Sequence, residues 1–242
     1  MISKSEIKLI RALKSKKQRD KLNLFVAEGV KLVEHFVNHG LSSKHLFHVN
    51  GYSGSLLRDS KSVSEQDMKQ ISALDSSSPL LAVFEKPTFK TDFSSGLLLA
   101  LDDVRDPGNM GTIIRLADWF GVKTVFCSPN CVDVFNSKVV QSTMGSLTNV
   151  NLISKDLSTA FAEAKKHEFY LVGAEMKGTA LSKFKANKKV MLVMGNEANG
   201  ISSEIQKLLD ESITIEKAKT SQAESLNVAM ATSILLGGLS SN

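Results

Sequence analysis

Leu97-Leu-Leu-Ala-Leu-Asp-Asp-Val-Arg-Asp-Pro-Gly-Asn-Met-Gly-Thr-Ile-Ile-Arg115 passes from an unbroken apolar run, through a charged turn holding Pro107 and Gly108, into a helical pattern. A run with no polar alternation reads as a strand covered on both faces, the signature of a parallel sheet. The helix is expected to open at Asn109, with that residue as its cap. Arg115 follows six residues on, so the two cannot share one helix face, although the long Arg115 side chain could reach back towards the Asn109 amide. The segment has two readings: an ordinary capped helix with a solvated arginine, or an amide and a permanent cation set beside a strand end, where open α/β sheets bind ligands.

Outward from this stretch the pattern repeats. Strands are expected near residues 97–102, 123–127, 149–153, 169–174, 190–194 and 212–215, and helices near 109–120, 136–145, 157–167, 199–210 and 224–237. Val190-Met-Leu-Val-Met194 is as apolar as Leu97–Leu101, which again suits a parallel α/β domain. Upstream, a basic helix is expected over about 3–18, strands at Leu24–Glu28, Leu46–Val49 and Leu80–Phe84, a helix over Val30–Val37, and another begun by Ser64 with Asp67 in a capping-box position. The polar stretch Glu85–Gly96, with Pro87 and Gly96, reads as a linker. Two domains follow, residues 1–88 and 96–242.

The bulk properties fit this plan. The chain has 242 residues and 42% hydrophobic content, enough for a proper core. No apolar run approaches the roughly 20 residues of a membrane span, and the first residues do not resemble a signal peptide. The two cysteines, Cys127 and Cys131, have poor metal spacing, and Cys127 reads as the end of a buried strand; a reducing, cytoplasmic location is expected. Charge is unevenly spread. Residues 1–90 carry 15 Lys/Arg against 9 Asp/Glu, whereas residues 91–242 carry 15 against 16. Lys8, Arg11, Lys14, Lys17 and Arg19 stand in the most basic stretch. Such a cluster suits a polyanion, because neutralised phosphates release counterions; a solvated amphipathic helix with Ile7, Ile10 and Leu13 buried is compatible with it.

Two more loops carry chemistry. In Val193-Met-Gly-Asn-Glu-Ala-Asn-Gly-Ile201 a strand ends at Met194, and Gly195 and Gly200 bracket a polar turn with Glu197 at its apex. The glycine spacing matches neither a Walker loop nor the dinucleotide fingerprint. In Ala223-Glu-Ser-Leu-Asn-Val-Ala-Met a small-residue helix follows Ser225 and Asn227; capping needs one of the two, which leaves the other for another task. Residues 91–242 contain one histidine, His167, in a surface-like segment, so neither a nucleophilic triad nor a metal cluster can be assembled there. Chemistry in this half runs on Asn, Arg, Glu, Ser and backbone groups, which favours a cofactor that brings its own reactivity.

Asn109-x-Gly111-x-x-x-Arg115, Gly195-Asn-Glu197-Ala-Asn-Gly200-Ile-Ser and Ser225-Leu-Asn227-Val-Ala together resemble the SpoU (TrmH-type) branch of the SPOUT RNA methyltransferases. Phe25-Val-Ala-Glu-Gly-Val-Lys-Leu-Val resembles the N-terminal substrate-binding domain that many members carry, so the resemblance covers nearly the whole chain. It implies a parallel-sheet α/β domain with a C-terminal trefoil knot, preceded by a small α/β RNA-binding domain. It also implies S-adenosylmethionine as cofactor, a homodimer through the C-terminal domain, and methyl transfer to a ribose 2′-hydroxyl of rRNA or tRNA. Carried over position by position, Asn109, Arg115, Glu197, Ser225 and Asn227 form the reaction site, and Met194, Gly195, Asn196, Gly200, Ile215 and Leu226 bind the cofactor. No metal is implied. The family's proposed use of the arginine in deprotonation is awkward for a guanidinium with pKa above about 12; phosphate binding and alkoxide stabilisation suit it better. Two departures stand out. Ile215-Glu-Lys-Ala-Lys replaces the usual Ile-Pro-Met, with about two extra residues before Ser225, and Ala198 stands where Gly is common, a small change if its φ is negative. The alternative is a non-catalytic RNA-binding or ribosome-assembly protein that retains the cofactor fold, which calorimetry with the cofactor discriminates. A nucleotide-binding enzyme of another type lacks the phosphate loops it needs.

Overall fold

The structure is a computed structural model and describes residues 2–74, 76–185 and 189–240. In chain order the elements are α1 (Lys4–Ala12), α2 (Lys16–Leu22), β1 (Leu24–Glu28), α3 (Val30–Asn38), β2 (Ser43–Val49), β3 (Lys61–Val63), α4 (Glu65–Ile71), β4 (Leu80–Glu85), β5 (Leu97–Leu101), α5 (Pro107–Trp119), β6 (Thr124–Cys127), α6 (Ser137–Ser142), β7 (Asn151–Ser154), α7 (Leu157–Lys166), β8 (Tyr170–Ala180), β9 (Val190–Met194), α8 (Ser203–Gln206), β10 (Glu211–Thr214) and α9 (Val228–Ser240). Among the described residues, no helix is long and apolar enough to cross a membrane.

The chain divides into two compact units: Met1–Thr88 with Asp133–Thr148, and Phe89–Val132 with Asn149–Asn242. Residues 133–148 join the first unit because Phe135 packs its ring 5.1 Å from that of Phe25 and Asp133 pairs with Arg19. The second unit begins inside the expected linker, where the Asp92 amide donates to Thr124 Oγ1 at 2.9 Å and that hydroxyl donates back to the Asp92 carbonyl at 3.0 Å.

The first unit holds a mixed sheet in the order β1-β4-β2-β3, antiparallel except for the β2–β3 pair. Pleating sends Val26, Phe47, Leu81 and Val83 to one face, where Ile10, Leu13, Met68 and Ile71 of the helices cover them. Phe25 and Phe84 face the other way, against Phe36 of α3. The single basic helix expected over 3–18 is broken. Leu13 turns into the core as the C-cap of α1, and a second helix starts at Lys16. Arg19 makes the break tolerable: its Nη1 donates to the Leu13 and Lys14 carbonyls at 2.8 and 2.9 Å, carbonyls that the interrupted helix leaves without partners. Ser64 caps α4, accepting from the Asp67 amide as the spacing predicts.

The second unit is built on a six-stranded, wholly parallel sheet in the order β10-β8-β9-β5-β6-β7. β5 and β9 lie at its centre, and the run Leu98–Leu101 and all of β9 are buried, as their apolar sequences require. On one face Leu98, Ala100, Met191 and Val193 pack against Leu157, Phe161 and Ala164 of α7 and against Ile201 and Ile205. Cys127 ends β6, buried, as expected. The helix expected over 199–210 shrinks to the four residues of α8. The chain is pulled out of it by Asp210, whose amide donates to the Leu171 carbonyl while its carboxylate accepts from the Leu171 amide, docking β10 beside β8.

Candidate active site

The register of the central pair sets Leu101 opposite Met194, so the loops after β5 and β9 leave the sheet at one level. They are stitched together. The Asp102 amide donates to the Met194 carbonyl at 2.8 Å, and the Asp102 carboxylate accepts from the Ser202 amide at 2.8 Å. Asp103, in the left-handed region at φ 59°, presents its carbonyl to Asn196 Nδ2 at 2.8 Å. Asn196 spends its other end on its own loop, accepting from the amides of Ala198 and Asn199. It lines the cavity, but its side chain holds the turn rather than offering free groups. Gly195 is indispensable for a steric reason: a Cβ there would lie 2.1 Å from the Gly200 carbonyl carbon. Gly200 has φ +70°, which favours glycine. Ala198 does not have a positive φ, so its methyl group costs the backbone nothing.

Around this turn, three of the five expected reaction-site residues form one chain of hydrogen bonds. The α5 cap is Asp106 rather than Asn109. Its carboxylate accepts from the Asn109 amide at 2.8 Å, and Pro107 fills the first helical position. Asn109 lies inside the first turn, where its side chain is released for other work. Its Nδ2 donates to Glu197 at 3.1 Å, and its Oδ1 accepts from Asn227 Nδ2 at 2.9 Å. Asn227 also caps α9 through Oδ1, which accepts from the Ala229 and Met230 amides. One residue therefore does both tasks that the sequence divided between Ser225 and Asn227. The Glu197 carboxylate further accepts from the backbone amides of Arg105 and Asp106. Burial raises its pKa, but the bonds from Asn109 and these amides outweigh that and hold the carboxyl below its ordinary value. It is an ionised orienting group and a poor base.

Arg115 and Ser225 stand outside this chain. Arg115 lies on the exposed face of α5, turned about 120° from Asn109 by the helix geometry. No hydrogen bond joins it to that amide, and no other hydrogen bond or ion pair engages it among the described residues. Ser225 is exposed on the wall of a cavity of about 600 Å³ beside the network. Met194, Gly195, Asn196, Gly200, Ile215 and Leu226, the residues expected to bind a cofactor, all line that cavity. Its apolar side comes from Met194, Ile213, Ile215 and Leu226, and its polar side from the Glu197 turn and the 216–225 loop. This mixture fits a heterocycle with a charged tail. Among the described residues, no group of three or more His, Cys, Asp or Glu could hold a metal ion.

Sequence reasoning missed Asp102 and Asp106, the two carboxylates that fix the loops. Asp106 carried a signal, since Asp before Pro-Gly at a helix start is a cap with proline at the first position. Asp102 carried none, because its partner lies a hundred residues away.

In the first unit, Lys8 and Lys17 are exposed, as a polyanion-binding surface needs. Arg11 and Lys14 are exposed but tethered, Arg11 Nε to the Gln70 carbonyl at 3.0 Å and Lys14 Nζ to the Ser72 carbonyl at 3.1 Å. Arg19 is a correction. It is 4% exposed, and its guanidinium grips Asp133 at 2.6 Å, so it holds the fold and is not offered to a ligand.

Comparison with known proteins agrees with this geometry. Residues 96–237 match the SpoU rRNA Methylase family, and residues 4–82 match the MRM3-like substrate binding domain. The chain is 28% identical to the 23S rRNA (guanosine(2553)-2′-O)-methyltransferase of Bacillus subtilis, over 96% of its own length and 94% of that protein's. A TrmH-family protein from Porphyromonas gingivalis superposes with a TM-score of 0.87 at 35% identity, covering 98% of both chains. An AdoMet-bound rRNA methyltransferase from Sinorhizobium meliloti superposes with a TM-score of 0.87 at 28% identity, covering 98% of this chain and 95% of that one. The parallel sheet, its paired loops and a family match spanning more than half the sequence place this chain in the SpoU rRNA methylase family, with a substrate-binding domain before the methylase domain.

Proposed function

We propose that this protein transfers a methyl group from S-adenosylmethionine to a ribose 2′-hydroxyl of ribosomal or transfer RNA, in the cytoplasm and as a homodimer. The observation that carries the reading is the Glu197–Asn109–Asn227 chain beside a cavity lined by Gly195, Ile215 and Leu226. The apolar side of the cavity takes the adenine, and Gly195 lets the backbone come close to it. When bound there, the cofactor supplies a methyl group already activated on a sulfonium.

The chain's own residues position and polarise. Glu197, held ionised by amide donors, fixes the orientation of Asn109, and Asn227 fixes it from the other side. Ser225, exposed on the cavity wall, has its hydroxyl available to the ribose. Arg115, a permanent cation without a partner among the described residues, binds the phosphate beside the target nucleotide and stabilises negative charge developing on the 2′-oxygen. None of these groups is a good base near neutral pH, so the 2′-hydroxyl proton passes to solvent and the rate comes mainly from in-line placement and electrostatics. Lys8, Lys17 and, from their tethered positions, Arg11 and Lys14 contact RNA phosphates from the first unit. The C-terminal segment threads as the resemblance implies. A second copy covers the exposed apolar side chains of α5 and α9, of which Trp119 is 83%, Met230 61% and Ile234 44% exposed.

The test is transfer from labelled S-adenosylmethionine to unmodified RNA, with sedimentation of the protein alone. The reading expects label on a ribose, a dimer for the wild type and a monomer for Trp119→Glu. Label on a base, or no transfer despite cofactor binding, contradicts it.

A further inference from the structure

After β10 the chain runs from Ile215 to Leu226 along the cavity wall, the segment where the sequence departs from the family's Ile-Pro-Met. Proline would restrict such a loop covalently, by fixing φ. Here the restriction is built from side chains. Glu216 accepts from the Ser182 hydroxyl at 2.8 Å, which ties the start of the loop to the turn after β8. Lys217 reaches across the loop and donates its Nζ to the Ala223 carbonyl. Between these ends the Ser221 amide donates to the Ala218 carbonyl at 2.9 Å, so the excursion folds back on itself. Lys217 also stands among carboxylates: the described lining residues include Glu175, Glu197, Glu216 and Glu224, and it is the one cation among them. Its ammonium nevertheless goes to a neutral carbonyl, where the bond closes the loop.

We infer that Lys217 is the latch of the cofactor loop, a positioning residue whose bond to the Ala223 carbonyl holds residues 217–225 in the shape that lines the cavity. The inference rests on the cofactor reading above. A loop that is pre-ordered loses less freedom on binding, so the latch acts on affinity and not on the chemical step. The exposed position of Lys217 means that its removal leaves the core untouched.

The test is calorimetric titration of the full chain with S-adenosylhomocysteine and with methylthioadenosine, which lacks the amino-acid tail. Lys217→Met is expected to bind both about five- to tenfold more weakly, the loss of one solvent-exposed hydrogen bond of ordinary net strength. Lys217→Arg, which keeps a donor of similar reach, is expected to stay within about twofold of wild type. The thermal midpoint of Lys217→Met falls by no more than about 4 °C, the cost of one hydrogen bond in a chain of this size, and KM for the cofactor rises while turnover at saturation is kept. Wild-type affinity in Lys217→Met overturns the latch. A loss confined to S-adenosylhomocysteine also overturns it, because that pattern belongs to a direct contact with the tail. A wild-type chain that binds neither ligand removes the cofactor reading, and the latch with it.

Discussion

Arg19 and Arg115 both stand out in the sequence as cations with a polyanion to meet, and the structure treats them in opposite ways. Arg19 is buried, forks onto Asp133 through Nε and Nη2, and closes two orphan carbonyls at the break between α1 and α2. Arg115 is exposed and unengaged among the described residues, one face away from the Glu197–Asn109–Asn227 chain. A guanidinium whose donors are satisfied by the protein is part of the fold. One held exposed on a rigid helix, with no partner among the described residues, leaves its donors open to solvent.

Substitutions should separate the two. The largest effect is expected at Arg19. Arg19→Ala leaves the half-buried Asp133 without its ionic partner and two carbonyls without a donor, and such a loss costs about 3 kcal/mol; chemical denaturation measures it, and methyl transfer per folded molecule should stay close to wild type. Arg115→Ala is expected to do the reverse. Loss of a group that stabilises developing charge costs about 100- to 1000-fold in turnover, with the denaturation midpoint and cofactor affinity unchanged. A drop in stability there, or wild-type turnover on the native RNA, breaks the contrast. Asn227→Ala falls between the two kinds. It removes the α9 cap, worth about 1 kcal/mol, and frees Asn109 to rotate, so stability and turnover should decline together.

Smaller effects sharpen the same contrast within α1. Lys8 is exposed, so Lys8→Ala should weaken RNA binding and reduce the slope of log affinity against log salt by about 1. Glu6 of the same helix is fully engaged. Its carboxylate accepts from the Ser3 amide at 2.6 Å and from Lys61 Nζ at 2.9 Å. The Ser3 bond is the main cause that lowers its pKa from 4.5 to about 2, against some burial and with help from Lys61. A depressed carboxylate stabilises the fold above its unfolded pKa, so this contribution is complete at neutral pH and disappears as pH falls from about 4.5 towards 2. Carboxyl titration by NMR should place its midpoint near the lower value; a midpoint at 4.5 removes the capping box from the argument.

The sequence made the central sheet legible because strands covered on both faces must be continuously apolar, as Leu97–Leu101 and Val190–Met194 are. The three motif loops were legible because glycines and polar residues at strand ends have few structural uses. The partners within the site were not. That Asn109 bonds both Glu197 and Asn227 depends on contacts across 88 and 118 residues, which local pattern does not encode. The break at Leu13 was hidden because Leu13 fits the apolar stripe of one long helix as well as it fits a C-cap. Arg19 was misread for the same reason: a buried arginine and a surface arginine look alike until Asp133 is brought beside the first.

We propose that RNA ribose methylation rests on a preorganised polar chain and on Arg115, which is unengaged among the described residues. The most direct test is mapping of 2′-O-methyl groups in RNA from cells lacking this protein, before and after incubation with purified wild type or Arg115→Ala and S-adenosylmethionine. The prediction is a 2′-O-methyl group restored at a defined position by the wild type and absent with Arg115→Ala. Restoration by both proteins, or a methyl group found on a base, would contradict it.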